Sequence, residues 1–296
     1  MEHQARPGLI PIHLSAGQAR WLDMNGYHCY EGFFHQSLAA YAGMIAQAPQ
    51  QFTSSLDFLT SDDRSKDVIC PTGFIFHTGR CGSTLLSKVL ARSRANLVFS
   101  EAAAHNQIWR VLQGDRPQRV AMYRTLLLAM GRPRVASYRA HIVKFTSFNI
   151  VNFDFIRTAF PGVPALFLFR DPAQTLDSYQ RRSPSWIGAD LGIGKTWHTP
   201  EEAVQDFLDA ALSIRDPDFQ CLNYAQLTPD SLSAILRFFR LNPSTEETRV
   251  MASEFAWDAK SGNRPRRFEA ASHPPSPVSA RLRELHDRVA SLRSLQ

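Results

Sequence analysis

The chain has 296 residues, 44% of them apolar and 20% charged, with a formal net charge of +6, which is enough apolar material for one large α/β domain with an extension or for two small domains. The four cysteines, Cys29, Cys70, Cys81 and Cys221, lack the spacings of a zinc site or a dense disulfide framework, no basic stretch leads into an apolar run at the start, and no segment approaches 18 uninterrupted apolar residues. Secretion and a membrane span are excluded as expectations and a reducing cytoplasm is expected; because 28 of the 33 cationic residues are arginine, whose planar fork suits phosphate and sulfate, an anionic ligand fits the composition.

In chain order, residues 1–68 carry aromatics, Trp21, Tyr27, Tyr30, Phe33 and Phe34, among short helical segments, and end in the polar run Thr60 to Lys66. That run reads as a boundary. The N-terminal extension before it is open to three readings: a cap on the acceptor pocket, a homo-oligomer surface, or simple core packing of its aromatics. Beyond the boundary, short apolar runs at residues 73–77, 96–100, 141–146, 165–169 and 219–223 read as strands, with helical patterns between them. This alternation predicts an α/β fold for residues 69–296: a three-layer, mainly parallel sheet with helices on both faces. Ligands in such sheets collect at the carboxyl ends of strands. Residues 258–276 are rich in Arg, Pro, Ser and Ala and are expected to form a loop before a last amphipathic helix from about Pro277 to Leu295.

After the first of these strands comes Gly79-Arg80-Cys81-Gly82-Ser83-Thr84, and Leu85 to Leu90 then has helical spacing. A strand, a glycine turn and a helix start make an anion site: glycines allow close approach, free amides of the first helical turn point at the ligand, and the helix dipole favours negative charge. Arg80 adds charge, and Ser83 and Thr84 add hydroxyl donors. The loop lacks the Walker spacing and the lysine before its hydroxyl pair, so ATP with magnesium is a poorer match and no metal is expected. Residues 76–86, Phe-His-Thr-Gly-Arg-Cys-Gly-Ser-Thr-Leu-Leu, resemble the sulfate-side phosphate loop of the sulfotransferase family, particularly its bacterial members. That resemblance, with the glycine loop, makes the expected sheet P-loop-type and implies 3'-phosphoadenylyl sulfate as co-substrate, held by Gly79, Arg80, Cys81, Gly82, Ser83 and Thr84. Arg80 stands where many cytosolic members have lysine and would bridge leaving-group and sulfuryl oxygens.

A second anchor supports this reading. Leu166 to Phe169 runs into Arg170-Asp171-Pro172, with Asp171 suited to cap a helix and Pro172 to begin it. Ser178 falls about two turns into that helix. Strand, Arg-x-Pro and a serine at this distance resemble the family's 3'-phosphate motif, which assigns Arg170 and Ser178 to a phosphate that ATP does not carry.

Sulfuryl transfer also calls for a general base. Many cytosolic sulfotransferases take it from a histidine following a Lys-Thr pair on a central strand; the comparable segment here, His141-Ile142-Val143-Lys144-Phe145-Thr146-Ser147, has none in that place. Other members use a glutamate after the second strand, which points to Glu101, with His105 four residues on as second choice. Near the C-terminus, Lys260 and Arg266 lie in a basic segment that in relatives closes over the nucleotide, although the Arg-Lys-Gly pattern is missing. The same residues could attract nucleic acid nonspecifically, but no recognised nucleic-acid module stands beside them.

The expected reaction is sulfuryl transfer to a hydroxyl or amine of a small-molecule or carbohydrate acceptor. One alternative is an ATP-dependent small-molecule kinase, for which Gly192-Ile193-Gly194-Lys195-Thr196 is the best argument, although Ala189 stands where a Walker loop needs its first glycine. Another is a nucleotide-binding interaction protein without catalysis.

Overall fold

The computed structural model describes residues 8–45, 50–60, 68–257, 259, 277–292 and 295. Its N-terminal region holds strands β1 (Leu9–Ser15), β2 (Gln18–Asp23) and β3 (Gln51–Ser55) in an antiparallel sheet of that order, with helix α1 (Phe34–Met44) between the last two. This corrects the expectation of aromatic and short helical segments. Residues 18–23 bury Ala19, Trp21 and Leu22 and expose Gln18 and Arg20, which is nearly the two-residue period of a strand. Pro11 obscured its neighbour: it lies beside a bulge between Pro11 and His13, the kind of irregularity at which a sheet tolerates proline.

The remaining elements alternate as expected. They are β4 (Pro71–His77), α2 (Ser83–Ala91), β5 (Asn96–Ser100), α3 (Ala103–Val111), α4 (Arg116–Met130), β6 (Ala140–Lys144), α5 (Phe153–Ala159), β7 (Ala165–Phe169), α6 (Pro172–Arg181), α7 (Pro200–Ser213) and β8 (Phe219–Asn223). Then follow α8 (Leu232–Phe238), α9 (Thr245–Ser253) and α10 (Ala280–Ala290). The strands form one parallel sheet of order β5-β6-β4-β7-β8.

Successive side chains of each strand enter opposite cores, because a strand's side chains alternate. Ile75, Val98, Ile142, Leu166, Leu168 and Leu222 pack with apolar residues of α2, α8 and α9. Phe74, Phe76, Leu97, Phe99, Val143, Phe167 and Phe219 pack on the other face with α3, α4, α5, α7 and α10, and the N-terminal Leu9, Ile10, Leu14 and Trp21 belong to that same core. These N-terminal residues share the large domain's core; β1 lies on α3, where the Leu14 amide donates to Gln107 Oε1 at 2.7 Å.

Topology places the site. From β4 the chain leaves through α2 on one face towards β5; from the adjacent β6 it leaves through α5 on the other face towards β7. Neighbouring strands whose connections diverge open a crevice at their carboxyl ends. The glycine loop after β4 and the end of β6 at Lys144 meet there.

One buried ion cluster fastens the N-terminal region to this frame. Glu254, 1% exposed, lies 3.0 Å from Lys88 Nζ of α2 and 3.3 Å from Arg92 Nε, and accepts the Tyr30 hydroxyl at 2.7 Å. Both cations also face the Tyr30 ring. Removing one partner from such a cluster leaves a desolvated charge uncompensated, so Glu254→Gln should cost about 3–5 kcal/mol of stability. Urea unfolding checks this: the midpoint should fall with the slope unchanged, and a loss below about 1 kcal/mol would show the cluster to be dispensable.

Candidate active site

Beyond β4 the Thr78 amide still donates to Leu168 O of β7 at 3.0 Å. The chain then turns through positive φ at Gly79 (81°), Arg80 (55°) and Gly82 (82°). A Cβ on Gly79 would lie 1.7 Å from the Tyr179 hydroxyl oxygen, which itself donates to Thr78 O at 3.0 Å. The first position therefore requires glycine for conformation and for space. Gly82 is the N-cap of α2, and no side chain caps that end. Amides of the first turn are thus left for a ligand, and the helix dipole favours an anion there.

Not every loop residue faces that space. The Gly79 amide donates inward to His77 Nδ1 at 2.9 Å, and Cys81 is fully buried with its thiol towards Leu168 O at 3.3 Å. Burial pushes the Cys81 thiol pKa up. Gly79 therefore supplies the turn's shape, with its own amide facing inward, and the Cys81 side chain supplies packing and not a ligand contact. Ser83 and Thr84 are buried in the first turn of α2. Arg80 is partly exposed; its guanidinium donates to Arg182 O at 2.5 Å and lies 5.3 Å from the Tyr179 ring centre.

The two sequence motifs meet. Arg170 donates to Arg80 O at 3.3 Å and to Gln174 Oε1 at 2.7 Å, and its guanidinium lies over the Tyr224 ring at 4.5 Å. Asp171 caps α6 by accepting the Gln174 amide at 2.9 Å, and Pro172 begins the helix. Ser178 is one turn beyond Gln174 and partly exposed, so Arg170, Gln174 and Ser178 form a row along one side of α6.

The centre of the site is a residue to which the sequence reading gave no role. Lys144, the last residue of β6, is 0% exposed, and its ammonium lies 2.5 Å from Glu101 Oε1, 3.3 Å from Ser100 Oγ and 3.4 Å from Thr84 Oγ1. Glu101 follows β5 with a φ of 53° and an amide that donates to Lys144 O at 2.8 Å. This left-handed residue costs about 1 kcal/mol. The turn brings the carboxylate back onto the ammonium. Burial alone would raise the Glu101 pKa, but the charge and hydrogen bond of Lys144 together with His77, 3.6 Å away, outweigh it and hold the carboxyl at about 2. The side chain remains 22% exposed, so an ionised carboxylate is open to the crevice. The N-terminal region roofs this pair: Phe33 lies over Lys144 Nζ at 4.7 Å from its ring centre, and Ser100 Oγ donates to Gly32 O at 2.7 Å.

His105 is not part of this group. It is fully buried between Phe99 and Phe145, with neither ring nitrogen bonded among the described residues, and burial lowers its pKa to about 3. The inward side of α3 carries it into the core, which corrects its nomination as a base. Lys195 lies on an irregular segment before α7, ion-paired with Asp206, and no strand-turn-helix surrounds it. Lys260 and Arg266 lie outside the described residues.

The sequence carried one usable signal for Lys144: a lysine closing an otherwise apolar five-residue strand, which must either place its ammonium at the strand's end or find a buried partner. Tyr179 and Tyr224, the rings that shape the loop, gave none, because nothing local marks an aromatic that packs on a glycine far away in the chain.

No protein-family model matches the chain, and no curated protein matches it. Among the solved structures that are similar to it in fold are three sulfotransferases. One is sulfotransferase STF9 from Mycobacterium avium, 11% identical over 68% of this chain and 70% of that one, with a TM-score of 0.41. Another is a sulfotransferase from Alicyclobacillus acidocaldarius, 15% identical over 64% of this chain and 94% of that one, with a TM-score of 0.40. The third is mouse sulfotransferase SULT7A1 complexed with PAP, 16% identical over 67% of this chain and 66% of that one, with a TM-score of 0.36.

Among the described residues no helix is long and apolar enough to cross a membrane.

Proposed function

We propose that this chain transfers a sulfuryl group from 3'-phosphoadenylyl sulfate to a hydroxyl or amine acceptor. The observation that carries the reading is the buried Lys144, whose ammonium touches both Thr84 of the loop helix and the ionised Glu101. A cation, a carboxylate and an uncapped helix N-terminus at one crevice suit the transfer of an anionic group to a protic acceptor. The donor supplies an activated sulfuryl group on a phosphate leaving group.

The residues fit such a donor by charge and by chemistry. The uncapped first turn of α2, with Ser83 and Thr84, would hold the phosphate next to the sulfuryl group. Arg170 and Ser178 would hold the 3'-phosphate, since Arg170 is steered by Gln174 and Tyr224 and spends only part of its donor set on the loop. Lys144 would counter charge that develops on the leaving oxygen. Arg80 would join it after leaving the Arg182 carbonyl.

Glu101 would take the acceptor's proton. A carboxylate held near 2 by an adjacent ammonium is a weak base. When Lys144 turns towards an anionic donor that restraint relaxes, so donor binding raises the basicity of Glu101. The kinase alternative gains nothing here, because Lys195 is bound to Asp206.

Calorimetry tests the donor assignment. Adenosine 3',5'-bisphosphate should bind at least about tenfold more tightly than AMP, and Arg170→Ala should remove that advantage, because a charge-assisted phosphate contact is worth about 1.5–3 kcal/mol. Equal binding of the two nucleotides, or an Arg170→Ala variant with no change, would sink it.

A further inference from the structure

His77 is a buried imidazole that the chemistry above does not use. It ends β4 with 4% exposure, and both ring nitrogens are engaged. The Gly79 amide is 2.9 Å from Nδ1, and an amide nitrogen can only donate. Nδ1 therefore presents a lone pair, and the ring's proton is on Nε2, which donates to Phe145 O at 2.9 Å. The charged groups facing the ring are Glu101, 3.6 Å from Nε2 at the end of β5, and Lys144 at the end of β6. Burial lowers the pKa of His77; Glu101 opposes that and Lys144 adds to it.

The ring thus joins the residue before Arg80 to the residue after Lys144. Main-chain pairing does little of that work here: Phe145 N still reaches Ile75 O at 3.0 Å, but the loop beyond His77 turns away through Gly79. We infer that His77 is a positioning residue, clamping the left-handed start of the loop to the exit of β6 and so fixing the anion-binding turn against the Lys144–Glu101 pair. This inference rests on the proposed function only for what the loop binds.

Two substitutions divide the clamp. His77→Asn keeps an acceptor near the place of Nδ1 for the Gly79 amide but does not reach Phe145 O. His77→Gln places an amide donor near Nε2 and leaves the Gly79 amide without its acceptor. His77→Gln should weaken binding of adenosine 3',5'-bisphosphate about tenfold, the scale of an orphaned buried donor. His77→Asn should hold that affinity within about threefold and lower kcat about tenfold, because the end of β6 then keeps its main-chain bond to Ile75 but loses its tie to the loop. Equal effects of the two variants on both quantities would overturn the clamp.

Nitrogen-15 spectra of the wild-type protein test it without any variant. They should show Nε2 protonated, Nδ1 bearing a lone pair, and a titration displaced below the ordinary imidazole range. A proton on Nδ1, or an ordinary titration near pH 6.5, would contradict it. A wild-type protein that binds no bisphosphate would fail the donor reading, while these spectra would still decide the clamp.

Discussion

Lys144→Met should lower the proposed sulfuryl transfer by about 10²–10³-fold, the cost of removing one preorganised group aimed at developing charge. Methionine fills much the same space without the ammonium. Two effects need separating, because the change also strands Glu101, which has Lys144 at 2.5 Å and His77 at 3.6 Å as its neighbours. An orphaned partner of a buried pair costs about 3–5 kcal/mol, less where it reaches water as Glu101 does. Adding Glu101→Gln removes the stranded charge, so the double variant should recover much of the lost stability in urea. It should recover none of the activity. A Lys144→Met enzyme that turns over within about fivefold of wild type would show that the ammonium plays no part in the reaction.

Acid should unfold this protein well before it silences Glu101. His105 and His141 are fully buried, and burial lowers their pKa values to about 3 and about 4, from 6.5. Below about pH 6.5 the unfolded chain protonates both while the folded chain protonates neither, so the unfolded state binds more protons and stability falls as pH falls. Each such group costs about 1.4 kcal/mol per pH unit across that window, and the two together about 2.7. Against a typical stability of about 5–15 kcal/mol, the drop from about pH 6.5 to 4 is large.

Glu101 acts in the same direction but later. Its carboxyl is held down from 4.5 to about 2, so its contribution is present above about pH 4.5 and is lost as pH falls towards 2. Loss of kcat/KM, which reports the free enzyme, between about pH 6.5 and 4.5 should therefore follow unfolding and not a titrating base. His105→Phe should flatten the pH dependence of the urea midpoint at little cost near pH 7.5, since neither ring nitrogen has a bonded partner among the described residues and two phenylalanines flank the ring. A variant as acid-sensitive as wild type would clear His105 of this role.

Much of the frame was legible because its signals are local. Five apolar runs fell on five strands, with ends shifted by no more than two residues, and Asp171 and Pro172 took the cap and first-turn positions that their chemistry suits. The glycine turn was legible for the same reason, since positive φ at Gly79 and Gly82 is what small residues between a strand and a helix announce. What the sequence hid depends on contacts distant in the chain. Whether His105 faces water or the core is decided by the rotation of α3 against β5 and β6, and a single histidine does not report that. Glu101 could be nominated from its place after a strand, yet its pairing with Lys144 joins residues 43 apart in the sequence. The N-terminal strands were missed for a different reason: one is interrupted by Pro11, and their period is short.

The most direct measurement is transfer of radioactive sulfate from labelled 3'-phosphoadenylyl sulfate into a metabolite mixture, comparing wild type with Lys144→Met. The arrangement of Thr84, Lys144, Glu101 and Arg170 predicts at least one labelled conjugate from the wild type and about 10²-fold less or lower from the variant. No labelled conjugate from a folded protein, or labelling from the γ-phosphate of ATP that depends on Lys195, would contradict it.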